Sequence, residues 1–242
     1  MKIIEKLSAK SKNVRAANPV TIAFLGDSVT HGCFECYKTG ERSLETVFER
    51  NQAYSTRLAE MLALLYPNAQ VNVINSGISG DCAVKGVDRV QRDVLAYNPD
   101  LVVVSYGLND SGEGLDGLNA YETALRNIFA PLKEKGMEVI FLTENYMNTA
   151  VSPHLQDAYF VDVAQRLAER QNGGILKQYF ERAKQVCAEM DIRVCDVYSK
   201  WEKMHQGGVN VTELLANKLN HPIRQMHYYI AIKLLETMFE QK

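Results

Sequence analysis

No apolar run in this chain approaches the ~20 residues that a membrane-spanning helix needs. No charge of one sign dominates either. Lys and Arg number 27 against 29 Asp and Glu, a formal net charge of −2, so nothing calls for nucleic acid as a partner. Residues 1–18 are rich in Lys but lack the continuous apolar core of a secretion signal. They read as an amphipathic leader packed on one domain spanning 1–242, in a cytoplasmic protein. The five cysteines, Cys33, Cys36, Cys82, Cys187 and Cys195, are odd in number, which argues against a disulfide framework. His31, Cys33 and Cys36 are grouped, but no second Cys/His pair completes the four ligands of a closed zinc site. No metal and no cofactor is expected. No Gly-x-Gly-x-x-Gly directly follows an expected strand, the one at 112–117 lying beyond the Gly107–Asp110 turn, and a Gly-Lys-Ser/Thr loop is absent, which argues against the common nucleotide and flavin binders. No linker, repeat or low-complexity segment divides the chain.

What is present is a hydrophobic fraction of 46%, enough for a sizeable core, arranged as strands alternating with helices. Val20–Leu25 is a short apolar run with a β-branched start and Pro19 before it, and it stops at Gly26. Continuous rather than alternating apolarity suits a parallel strand covered on both faces. Four more strands are expected at Val71–Ile74, Leu101–Tyr106, Met137–Thr143 and Ile192–Val197. Helices are expected from Asn51 or Ser55 to Pro67, over 83–96, 118–135 and 157–190 with a break at Asn172-Gly173-Gly174, and over 223–239. Short helices are expected at 198–205 and 211–216. Residues 30–50 read as an irregular loop, long enough to be functional. The pattern predicts an α/β protein, a five-stranded parallel sheet between helical layers joined by right-handed crossovers.

Three of these strands end in glycine plus small polar residues: Gly26-Asp27-Ser28, Gly77-Ile78-Ser79-Gly80 and Gly107-Leu108-Asn109. Such ends converge on one edge of a parallel sheet, where α/β proteins bind ligands. Taken singly, Asp27 or Ser28 is a helix N-cap, Asn109 a turn residue and Gly77 and Gly80 turn glycines. Taken together they supply a hydroxyl, backbone N–H donors and a carboxamide, the parts that acyl transfer needs. His221, in a loop before the last helix, could bring a base over the strand ends.

These residues resemble the SGNH hydrolase superfamily, also called GDSL esterases and lipases. Its blocks match as Gly26-Asp27-Ser28-Val29-Thr30, Asn75-Ser76-Gly77-Ile78-Ser79-Gly80-Asp81, Gly107-Leu108-Asn109-Asp110 and His221-Pro222, from Val20 to the last helix. The resemblance implies a flavodoxin-like three-layer α/β/α fold. It implies Ser28 as nucleophile, His221 as general base, and an oxyanion hole from the Ser28 and Gly80 N–H groups and the Asn109 side chain. It also implies a small acyl ester as the partner, acetyl or short-chain and on carbohydrate in the favoured case, with a thioester or lysophospholipid as alternatives. A homo-oligomer is compatible with it.

One position departs from the family pattern. The Asp usually found three residues before the His is Lys218, which cannot accept a bond from the imidazole N–H. A backbone carbonyl or an Asn is the expected substitute. Asn217, Asn220 and Asp196 are the candidates for orienting the ring, with Glu213 a further one. Asp27, Glu35, Asn145 and Tyr146, with Tyr37, are expected to line the substrate pocket between the 30–50 and 144–158 segments. The departure also motivates a second reading, a sugar- or acyl-binding protein on the same fold with weakened catalysis.

Overall fold

The first apolar run is buried along its length because layers cover it on both sides. Ile22, Ala23, Phe24 and Leu25 are each at most 1% exposed. The computed structural model describes residues 1–40 and 44–240. The run is strand β1 (Val20–Gly26). It is followed by a hairpin of β2 (Cys33–Lys38) and β3 (Leu44–Phe48), then by β4 (Val71–Gly77), β5 (Leu101–Ser105), β6 (Glu138–Thr143) and β7 (Arg193–Asp196). All but the hairpin form one parallel sheet in the order β4-β1-β5-β6-β7.

The chain adds β4 on one side of β1 and then crosses to the other side for β5. A crevice opens where the strand order reverses in this way. The register brings the strand ends level there, with Gly26 paired to Gly77 on one side and to Ser105 on the other.

The helices are α1 (Lys2–Lys12), α2 (Ser28–His31), α3 (Tyr54–Leu65), α4 (Ala83–Asp93), α5 (Leu118–Glu134), α6 (Ala158–Asn172), α7 (Ile175–Glu189), α8 (Tyr198–Gln206) and α9 (Arg224–Phe239). α1 and α3 pack on α9, while α4, α5 and α7 pack in series as a second group. α1 buries Ile3 and Leu7 completely in the main core. Among the described residues, no helix is long and apolar enough to cross a membrane.

The five-stranded parallel sheet agrees with the sequence expectation, and the long helical region does break between α6 and α7, at Gly173-Gly174. The 30–50 segment differs. It is not irregular but holds α2 and the antiparallel β2–β3 ribbon. The strand Cys33-Phe34-Glu35-Cys36-Tyr37-Lys38 contains no β-branched residue, and a ribbon with exposed positions gives little periodic signal. Its register shifts between Cys33 and Cys36, a bulge that leaves Phe34 and Glu35 without partners on β3.

Candidate active site

β1 ends in a turn tight enough to start a helix at once. Asp27 caps α2 by accepting the Val29 N–H at 2.9 Å, so the cap reading of this residue is correct. Ser28 occupies the first helical position, 3% exposed, directly above the crevice. Its Oγ lies 3.0 Å from His221 Nε2, although the two residues are separated by 193 positions.

The loop that carries His221 is organised on one oxygen. Asn217 Oδ1 accepts the backbone N–H groups of Leu219, Asn220 and His221 at 2.9–3.0 Å. The segment leaving β6 straps the same loop. Asn145 Nδ2 donates to Asn220 O at 2.9 Å, and Asn148 N donates to Leu219 O at 2.7 Å. Lys218 takes a left-handed conformation at φ 58° and turns its amine away, to Glu213 at 2.8 Å.

The other ring nitrogen, His221 Nδ1, is 2.9 Å from the carbonyl oxygen of Phe34 and 3.9 Å from Cys36 Sγ. A carbonyl can only accept, so Nδ1 carries the hydrogen and Nε2 presents its lone pair to Ser28. Among the described residues, no carboxylate bonds the ring. Asp196 is engaged by Lys184, Thr143 and Ser199, and Glu213 by Lys218 and Ser152. Asn220 offers its side-chain oxygen to Asn217, and Asn217 reaches His221 through the backbone, not the ring. Asp196 and Asn220 therefore do not orient His221. Burial lowers the imidazole to about 4, against a smaller upward pull from the Phe34 carbonyl, so the ring is neutral over the ordinary pH range.

The donor side of the crevice is built from the ends of β4 and β5. Gly77 is required by close approach, because a Cβ there would collide with the His31 backbone. Gly80 has open space around it but sits at φ +76°, a conformation that suits glycine. Its N–H has no partner among the described residues. Asn109 Nδ2 donates to Asp27 Oδ2 at 3.0 Å and to Asp81 O at 2.8 Å. Both amide hydrogens are thus engaged, and they stitch the ends of β1, β4 and β5 together.

Beneath these groups lies a buried acidic cluster. Asp27 and Glu144 are 0% and 2% exposed and face each other. Burial raises Asp27 to about 6 and Glu144 well above the usual carboxylate range; the Asp27 carboxylate pushes Glu144 further up, while the hydrogen bond from Glu144 pulls Asp27 down. A single proton held on Glu144 satisfies both groups. It gives a partner to Glu144 Oε1, otherwise orphaned, while Oε2 accepts Leu108 N–H at 2.9 Å. Asp81 is balanced by Arg89, whose Nε donates to it at 2.7 Å and whose other nitrogens reach Ser76 O and Gly26 O.

The expected pocket lining is largely internal. Asp27 and Asn145 are fully buried, and Tyr146, 5% exposed, packs on the Tyr198 ring. All three hold the site together from below. Glu35 is at the surface, in an ion pair with Arg224. The contributors without a sequence signal are the Phe34 carbonyl, Glu144, Arg89 and Arg224. A main-chain acceptor has no side chain to read, and the other three resemble ordinary surface charges until the chain is folded.

Residues 24–228 match the model of the GDSL-like Lipase/Acylhydrolase family. The chain belongs to this family. Among curated relatives, an acetylxylan esterase of Geobacillus stearothermophilus is 29% identical over 135 residues, covering 52% of this chain and 60% of the relative. An arylesterase of Vibrio mimicus is 30% identical over 122 residues, covering 49% and 58% respectively. The chain thus spans about 60% of the length of the curated relatives it matches. Its fold is shared with solved esterase structures. A solved acetylxylan esterase of Geobacillus stearothermophilus superposes with a TM-score of 0.67 at 22% identity, over 92% of this chain and 95% of that one. A two-domain esterase active on acetylated mannans gives 0.63 at 19% identity, over 99% and 54%.

Proposed function

We propose that this protein is a serine esterase that hydrolyses small O-acyl esters, with acetyl groups on carbohydrate as the favoured substrates. The observation that carries the reading is the 3.0 Å contact between Ser28 Oγ and the unprotonated Nε2 of His221, at the rim where β1, β4 and β5 end. Relatives named acetylxylan esterase and arylesterase support the substrate class. Five free cysteines suit a reducing compartment, and cytoplasmic esters are proposed accordingly.

In the mechanism, His221 Nε2 takes the Ser28 hydroxyl proton as Oγ attacks the acyl carbon. The developing oxyanion accepts from the Ser28 and Gly80 N–H groups. Asn109 contributes by sharing an amide hydrogen now bonded to Asp27 or Asp81. The imidazolium then gives its proton to the departing alkoxide, leaving an acyl group on Oγ. Water, deprotonated by Nε2, attacks that ester, and Ser28 recovers its proton as the acid leaves. Loss of the family acid need not abolish turnover, because the oxyanion hole and binding retain much of the rate.

The test is a panel of acetylated sugars and p-nitrophenyl esters of rising acyl length, with Ser28→Ala as control. Turnover falling with acyl length and lost in Ser28→Ala supports the reading. Turnover that survives Ser28→Ala overturns it. The engagement of both Asn109 hydrogens favours one alternative, a sugar- or acyl-binding protein, for which the panel shows binding without turnover.

A further inference from the structure

The acceptor that fixes the His221 tautomer is a main-chain oxygen on β2, so its position is only as good as the anchoring of that strand. The bulge turns Phe34 and Glu35 out of the β2–β3 ladder, and the ladder itself does not hold them. Phe34 packs on the His227 ring at 4.9 Å, and both Phe34 and Glu35 are engaged by Arg224, three residues after His221 and the first residue of α9. Its Nη1 and Nη2 donate to the two oxygens of Glu35 at 2.6 and 3.0 Å, and its Nε and Nη2 donate to the two oxygens of Glu49 at 2.9 and 2.6 Å. Its guanidinium carbon also lies 4.4 Å from the centre of the Phe34 ring. Glu35 adjoins Phe34 on β2, and Glu49 immediately follows β3. One side chain thus grips both strands of the ribbon and stacks on the residue whose carbonyl holds the imidazole.

We propose that Arg224 is a positioning residue for His221. It clamps the β2–β3 ribbon to the start of α9, so that Phe34 O stays in line with Nδ1–H and takes over the orienting task of the missing acid. The proposal rests on the esterase reading for its kinetic consequence, though not for the geometry of the clamp. The guanidinium matches this task because its planar fork meets two carboxylates and an aromatic face at once, which a lysine amine cannot do. The clamp is partly exposed, with 32% of the Arg224 side chain accessible, so its contribution to overall stability is small. Its effect falls on alignment, where an error of ~1 Å can cost ~100-fold in rate.

The test uses the full chain with Arg224→Ala, Arg224→Lys and the pair Glu35→Gln/Glu49→Gln. Three readouts are taken: p-nitrophenyl acetate kinetics, the proton NMR signal of His221 Nδ1–H, and thermal unfolding. Arg224→Ala is expected to lower kcat by about 10–100-fold with KM little changed. The Nδ1–H signal should broaden or vanish while the unfolding temperature holds, and millimolar guanidinium should restore part of kcat. Arg224→Lys should behave nearly as Arg224→Ala. Wild-type kcat together with an unchanged Nδ1–H signal in Arg224→Ala overturns the proposal. A change confined to KM also overturns it, by assigning Arg224 to substrate contact. If Arg224→Ala does not fold, the double Gln variant carries the same expectations. A wild-type protein with no turnover counts against the esterase reading, and the Nδ1–H signal then still decides the clamp.

Discussion

Ser28 and His221 meet as neutral partners, and the charge state of the ring sets where they can work. Burial holds the imidazole at about 4, below its ordinary 6.5, so Nε2 remains a base as pH falls through 6 and 5. The acid limb of kcat/KM is therefore expected near pH 4, not 6.5, in a pH series on p-nitrophenyl acetate. A limb at 6 or above would mean that the ring is more hydrated than its 6% exposure indicates. Asn109 is expected to act twice, as donor and as stitch. Asn109→Ala should lower kcat by about 100-fold, with a smaller change in KM. Thermal unfolding should also shift down, because the bonds to Asp27 and Asp81 are lost. A change in KM alone would assign Asn109 to binding.

At the scale of the element, the legible parts are those that repeat or punctuate. The β1 run, the glycine stops at Gly26, Gly77 and Gly107, and the break at Gly173-Gly174 are local in sequence, and each appears in the fold where it was expected. The β2–β3 ribbon was not legible, since its pairing lies between segments with no hydrophobic alternation. The orienting group of His221 was legible only as a class. Lys218 excluded the usual acid, but which carbonyl replaced it depends on a bulge that no side chain announces. The sequence alone suggests that the segment after β6 is pocket wall. It is instead a strap, because Asn145 and Asn148 donate their side-chain amides to backbone carbonyls of Asn220 and Ala164. Asn145→Ala is expected to free Asn220 O and loosen the His221 loop. The readout is faster amide exchange over residues 217–221, with unchanged exchange in β1.

For the whole molecule, the crevice concentrates buried acids, and stability must respond to pH. Burial raises Asp110 from 3.8 to about 7, and its Oδ2 has no partner. Between about pH 4 and 7 the folded chain holds a proton on Asp110 that the unfolded chain has released, so this group lowers stability as pH rises through that window. Asn cannot ionise, and the linkage slope is about 1.4 kcal/mol per pH unit. Asp110→Asn is expected to gain about 2–3 kcal/mol on wild type between pH 5 and pH 8, read from urea unfolding. An equal effect at both pH values would show that Asp110 is already ionised in the fold. The His221 and His227 rings, both lowered by burial, act oppositely and destabilise as pH falls below 6.5. They are common to both proteins and cancel in the comparison.

The same crevice draws together segments near residues 28, 80, 109 and 221, and reactivity is the property that only their joint arrangement confers. A fluorophosphonate probe, followed by peptide mass spectrometry, reads that reactivity directly on the native chain. A single adduct on the Ser28 peptide is predicted, strongly slowed in His221→Ala and absent in Ser28→Ala. A folded wild-type chain that stays unmodified, or that reacts at another residue, would contradict the account.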